Sequence, residues 1–86
     1  MLVPLYGFLH GDTLGLLVLV HDHETVADVA ARLQESAAVR VPPRARVRVV
    51  WRGRALPPES TVAQAGLTAL ERVDVVPDPT RDRDDA

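Results

Sequence analysis

One stretch of this chain carries the three- and four-residue rhythm of an amphipathic helix, and every other ordered-looking stretch reads as strand or turn. Val26, Val29, Ala30, Leu33 and Ala37 recur at the spacing that places them on one helical stripe. Thr25-Val-Ala-Asp28 is a capping-box pattern, with Asp28 where Glu is usual. Asp22 and Glu24 add negative charge where a helix start favours it. Ala27, Ala31, Arg32 and Glu35 take the outer side, and Pro42-Pro43 forbids continuation. The expected helix spans about residues 25–37.

Around it lie the strands. Residues 2–9 read as a strand in which Pro4, lacking an N–H, belongs near the start or on an edge. His10-Gly11-Asp12-Thr13 carries turn chemistry, and Leu14 to Val20 is almost continuously apolar, so a hairpin is expected. Residues 45–51 alternate, which sends Val47 and Val49 inward and Arg46 and Arg48 outward. Trp51-Arg-Gly53-Arg is a turn, Ala55-Leu56 a short strand, and Pro57-Pro58 its end. Ser60-Thr61 caps one helical turn, Val62 to Ala65, closed by Gly66. Val73 to Val76 is the last strand. Val26, Val29, Leu33, Val47, Val49, Leu67, Val73 and Val75 are the expected core.

Composition sets the scale. Eighty-six residues make one small domain, which buries only about 60–65% of its unfolded surface. With no cysteine, neither disulfides nor thiolate chemistry contribute. The core must be packed from Val, Leu and Ala, because the aromatics are Tyr6, Phe8 and Trp51 alone, and branched aliphatics favour sheet. Net charge is −2, and residues 77–86 with four Asp and two Arg account for it. That segment has too little apolar surface to order itself and is expected to be a disordered acidic tail, leaving residues 1–76 as the domain. The longest apolar run, Leu14 to Val20, is far short of a membrane span. No basic residue precedes Arg32, so no secretory leader is expected. These features point to a soluble, cytoplasmic protein with no membrane partner.

Chemistry-bearing residues are sparse. His21-x-His23 could bring two imidazoles to one ion, but zinc takes three or four protein ligands, and His10 lies at the far end of the second strand. No metal site is expected. Ser36 and Ser60 lack a triad partner, and no phosphate-cradling glycine loop occurs. No catalytic residue is therefore expected. Arg40, Arg44, Arg46, Arg48, Arg52 and Arg54 are the concentrated charge, with no acid between Glu35 and Glu59. Their bland reading is a solvated strand face paired with Asp74 or Glu71. Their functional reading is protein docking through bidentate pairing with carboxylates. A nucleic-acid partner is not expected, since interleaved aromatics are missing and the domain is neutral.

The element order is that of the α+β, β-grasp (ubiquitin-like) fold, a mixed sheet of four or five strands with one helix across one face. Thr25-Val26-x-x-Val29, Pro42-Pro43, Trp51-Arg-Gly53-Arg54-Ala-Leu56 and Thr61-Val62 through Gly66-Leu67 resemble its elements over about residues 14–76. A narrower likeness covers nearly the whole ordered chain. Pro4, Asp12, Leu17-Val18-x-Val20, Asp22, Thr25, Val29-Ala30, Arg40-Val41-x-Pro43, Arg48-Val49, Leu56-Pro57, Val62-x-x-Ala65-Gly66-Leu67 and Asp74-Val75 fall at spacings that resemble the toluene 4-monooxygenase system protein B family.

That resemblance implies a non-catalytic gamma subunit of a bacterial di-iron aromatic-hydrocarbon monooxygenase. It implies no cofactor in this chain, a di-iron centre on a partner subunit, and the large hydroxylase subunits as partners. The segment between Pro43 and Arg46 is short for the family and the acidic tail is extra. The alternative is a free-standing ubiquitin-like binding module, of the kind linked to bacterial specialised secretion. A sulfur carrier or conjugated modifier is excluded, because these need a C-terminal Gly-Gly and no Gly follows Gly66. In ubiquitin-like folds the position of Val50 is an exposed apolar recognition residue, with Val76 comparable on the last strand. The expected protein-binding patch is thus Arg48, Val50, Arg52 and Val76, an apolar centre with a charged rim.

Overall fold

The computed structural model describes residues 1–78. In chain order the elements are β1 (Leu2–Leu9), β2 (Gly15–His21), α1 (Val26–Ser36), β3 (Val47–Trp51), β4 (Arg54–Ala55), α2 (Val62–Ala65) and β5 (Arg72–Pro77). They form one five-stranded sheet in the order β2-β1-β5-β3-β4. β1 runs parallel to β5, and every other neighbouring pair is antiparallel. The expected β-grasp order is therefore the observed one. Pro4 sits before the β5 register begins at Tyr6, so no ladder partner on that side requires the N–H it lacks, while its carbonyl accepts the Leu70 N–H.

The helix ends fall within a residue of the expected ones. Thr25 is the N-cap; its Oγ1 accepts from the Asp28 N–H at 3.2 Å, and the Asp28 carboxylate accepts from the Thr25 N–H at 3.0 Å. That second bond holds the Asp28 carboxyl below its ordinary pKa. Thr61 repeats the device at α2 with Gln64 as partner. The two caps also face each other across a bridge between Thr25 and Thr61. Val26 N–H donates to Ser60 O and Val62 N–H to Glu24 O, both at 2.8 Å. Each helix start thus satisfies orphan donors of the other.

α1 covers one face of the sheet. Val26, Val29, Ala30, Leu33 and Ala37 meet Val3, Leu5, Leu9, Val18, Val20, Val49, Val73 and Val75 in one buried cluster. Leu33 rests over Gly7: a methyl added there would lie 2.8 Å from both Leu33 Cδ atoms. The glycine is a hole in the inner face that admits a bulky side chain from the helix. Near the end of α1, Gln34 clamps the loop after Pro42-Pro43. Its amide donates to Arg44 O at 3.0 Å and accepts from Arg44 N–H at 2.7 Å. Gln34 is the one polar residue buried as a whole among the described residues, and both ends of its amide are satisfied.

Some expectations shift. β2 begins at Gly15 rather than Leu14 and β3 at Val47 rather than residue 45, each later than expected. Val47 is half-buried rather than core, because it sits at the strand's start beside an open groove. β5 continues through Pro77, one residue past the expected domain boundary, and Asp78 N–H donates to Arg46 O at 3.1 Å. The tail expected to be disordered otherwise lies outside the described residues. No helix among the described residues is long and apolar enough to cross a membrane.

Candidate functional site

With α1 on one face, the other face of the sheet has no covering layer among the described residues. Cross-strand register places its residues in rows. Leu17 lies opposite Tyr6, and Tyr6 opposite Arg72. Phe8 stands between Gly15 and Asp74, and Asp74 opposite Val50. Leu19 faces Pro4, and Val76 faces Arg48. Side chains directly opposite each other share a face, so these rows form one continuous surface.

The β1–β2 end of that surface is apolar and uncovered. Leu2, Tyr6, Leu17 and Leu19 are 54%, 46%, 55% and 51% exposed. Exposed apolar residues scattered singly are ordinary, but four on neighbouring strands make a contiguous patch. The middle is charged. Arg72 lays its guanidinium over the Phe8 ring at 4.0 Å and bonds Asp74 at 3.0 Å. Val50 and Val76 lie beyond it, half-buried, with the exposed Arg48 between neighbouring rows.

Of the expected patch, then, Arg48, Val50 and Val76 share this face. Arg52 does not follow the alternation. Its φ of 52° and the 79° of Gly53 make the two-residue turn between β3 and β4. The turn folds Arg52 back over Trp51, 4.8 Å from the ring centroid, and onto Glu71 at 3.3 Å. Glu71 also accepts from Trp51 Nε1 at 3.1 Å and from the Thr68 N–H and hydroxyl, each at 3.0 Å. The Thr68 N–H is the largest influence holding its carboxyl below the ordinary glutamate value. This cluster braces one end of the sheet and gives Arg52 a fixed partner already. Arg44, Arg48 and Arg54, by contrast, have no side-chain hydrogen bond or ion pair among the described residues.

The patch expected from the sequence does not include Tyr6, Leu17 or Leu19. The signal was present: Leu14 to Val20 is apolar at both parities, yet β2 is an edge strand covered on one face only. Among the described residues no group of three or more His, Cys, Asp or Glu is placed to hold a metal ion. The His21 and His23 rings stack on each other at 5.2 Å.

Comparison with known proteins agrees with this architecture. A chain of the toluene 4-monooxygenase HD complex with the inhibitor 4-bromobenzoate superposes with a TM-score of 0.83 at 28% identity, covering 91% of this chain and 100% of that one. The ubiquitin of Caldiarchaeum subterraneum superposes at 0.72 with 19% identity over 91% of this chain and 95% of that one. The ubiquitin-like domain of Plasmodium falciparum Dsk2 does so at 0.70 with 16% identity, over 91% and 100%. These last two establish the ubiquitin-like fold alone. No curated protein matches the chain. The family model of toluene-4-monooxygenase system protein B matches residues 2–76, nearly all of the described residues, and the chain accordingly belongs to that family, a small component of a monooxygenase system.

Proposed function

We propose that this chain is the non-catalytic gamma subunit of a toluene-type monooxygenase and docks on a large hydroxylase subunit through the uncovered face of its sheet. The carrying observation is the apolar patch of Leu2, Tyr6, Leu17 and Leu19 on a domain of this family. A patch of neighbouring apolar side chains beside charged residues is the make-up of a protein interface. Tyr6 is the natural anchor, a large amphipathic side chain at the centre of its row. At the other end of the same surface Val50 and Val76 are apolar and Arg48 supplies the charge, where the partner supplies Asp or Glu, and Arg52 lies at its rim.

In this reading the chain holds no iron, flavin or other cofactor, and the di-iron centre belongs to the partner. Its work is mechanical: it buries a face of the large subunit and holds that subunit's fold. The setting is cytoplasmic, with neither nucleic acid nor membrane as a partner.

The test is sedimentation velocity of the chain mixed with the large hydroxylase subunits, with iron determined in each separated component. A stable complex whose iron stays with the large subunits is expected, and Leu19→Asp should weaken it tenfold or more. Iron retained by this chain alone, or a folded Leu19→Asp variant of unchanged affinity, overturns the reading.

A further inference from the structure

A second surface lies on the opposite side of the molecule, between α1 and the β3–β4 end of the sheet. It is a groove of about 710 Å³, within the roughly 300–1,000 Å³ of ligand-binding clefts. Val26, Ala30, Val49 and Leu56 form its floor, and the exposed Ala27 and Ala31 its helical wall. The wall is low because alanine fills so little space. A Leu at either position would close much of the groove.

One border of the groove is a strand edge. In an antiparallel ladder, successive residues direct their N–H and C=O to opposite neighbours. Arg46 O takes the Asp78 N–H on the β5 side, so Val47 and Val49 address the other side. There Val49 O accepts the Leu56 N–H at 2.8 Å. β4 is only two residues long and reaches no further along β3 than Val50. Among the described residues the register leaves Val47 with no ladder partner on that edge. A strand edge with open donor and acceptor is a template for another strand.

Charge selects what would fit. Arg44 and Arg48 line the groove and Arg54 follows close by on β4; none has a side-chain partner among the described residues. The single acid in the lining, Asp78, lies at the end beside Arg46. We propose that this groove takes an extended segment of a partner protein, apolar at its centre and flanked by Asp or Glu, which adds to the free edge of β3 as a further strand. Backbone hydrogen bonds to Val47 give it register. Its inward side chains rest on the Val26–Ala30–Val49 floor, and its carboxylates meet the unpaired guanidiniums. The groove shares only Arg48 with the sheet face assigned to the hydroxylase and lies away from Leu19, so a chain that failed to assemble through Leu19 would still bind here.

The test uses the full ¹⁵N-labelled chain and two synthetic nonapeptides with the same alternating Val-Thr centre, one flanked by Asp pairs and the other by Lys pairs. The Asp-flanked peptide should shift the amides of Val47, Val49 and Ala31 and slow exchange of the Val47 amide tenfold or more. It should bind at least tenfold more tightly than the Lys-flanked peptide at low salt, and the gap should narrow as salt is raised. Ala31→Phe, on the exposed helix side and so compatible with folding, should abolish binding. Arg44→Glu with Arg54→Glu should reverse the preference. Shifts confined to Tyr6 and Leu17, equal affinity for both peptides, or unchanged binding by folded Ala31→Phe would overturn the proposal. So would dimerisation of the chain through β3, or a tenfold gain in affinity on deleting residues 79–86, which would assign the groove to the chain itself.

Discussion

Arg40, just past the helix, grips Asp12 in the turn between β1 and β2, twenty-eight residues earlier, through Nε at 3.1 Å and Nη2 at 2.9 Å. The Asp12 side chain is only 2% exposed, so the fork closes over it. Asp12 also accepts the Leu14 N–H at 3.2 Å, which shapes the turn. One carboxylate thus fixes the hairpin tip and ties it to the exit of α1.

This pair makes the fold acid-sensitive. The Arg40 guanidinium holds the Asp12 carboxyl below its ordinary range. Its folded pKa lies below its unfolded one. The stability it adds is complete above the unfolded carboxylate range and disappears as pH falls through the lower, folded value. Arg40→Met should raise the acid-unfolding midpoint followed by circular dichroism, because Asp12 then takes up its proton at higher pH. An unchanged midpoint would show that the pair contributes nothing.

Leu33 and Gly7 should be coupled. Leu33→Ala should cost about 2–5 kcal/mol in urea unfolding, the range for emptying a core leucine site. Gly7→Ala should cost about 1–3 kcal/mol, since its methyl overlaps Leu33. In the Leu33→Ala background the same Gly7→Ala change should cost much less, because the methyl enters the vacated space. Strict additivity would disprove this packing.

Leu70 has a φ of 65° and is 59% exposed, a left-handed backbone for a branched side chain with little packing to support it. Leu70→Gly should stabilise the domain by about 1 kcal/mol, net of the glycine's greater freedom when unfolded. A loss of thermal stability on this change would show that Leu70 packing outweighs its backbone strain.

On the proposed docking face, Leu17→Asp should weaken assembly with the large subunits more than Val50→Asp does. Leu17 is uncovered beside Tyr6, whereas Val50 is half-buried opposite Asp74. Paired affinities by isothermal calorimetry on folded variants would rank them. The reverse order would put the centre of the interface at the β3 end.

The fold was largely written in local signals. Thr25 with Asp28, the stripe through Leu33, and Gly53 and Gly66 at positive φ each act over a few residues, where sequence spacing and spatial spacing coincide. What was hidden depends on distant partners. Nothing near Gln34 announces that it will clamp the Arg44 backbone, and Asp12 and Arg40 give no local sign that they meet. The uncovered sheet face was half legible. Alternation put Arg48 and Val50 outward correctly, but it cannot say which face of β2 lies bare, because that depends on where α1 settles. Arg52 escaped for another reason: a residue in a turn with φ near +52° no longer obeys the strand's parity.

The parallel pairing of β1 with β5 joins the first strand of the domain to the last. During synthesis β1 leaves the ribosome early and can find β2, but the middle of the sheet stays open until residue 77 has emerged. A two-stranded ribbon is marginal in water, so the growing chain has no stable resting point on the way. The mean sequence span of its contacts is correspondingly long, which slows folding relative to a helical domain of equal size. Acquisition of structure should therefore come all at once, after β5 has emerged. A nascent chain stalled before β5 should be cleaved readily by protease, and one stalled far enough beyond residue 77 to clear the exit tunnel should resist.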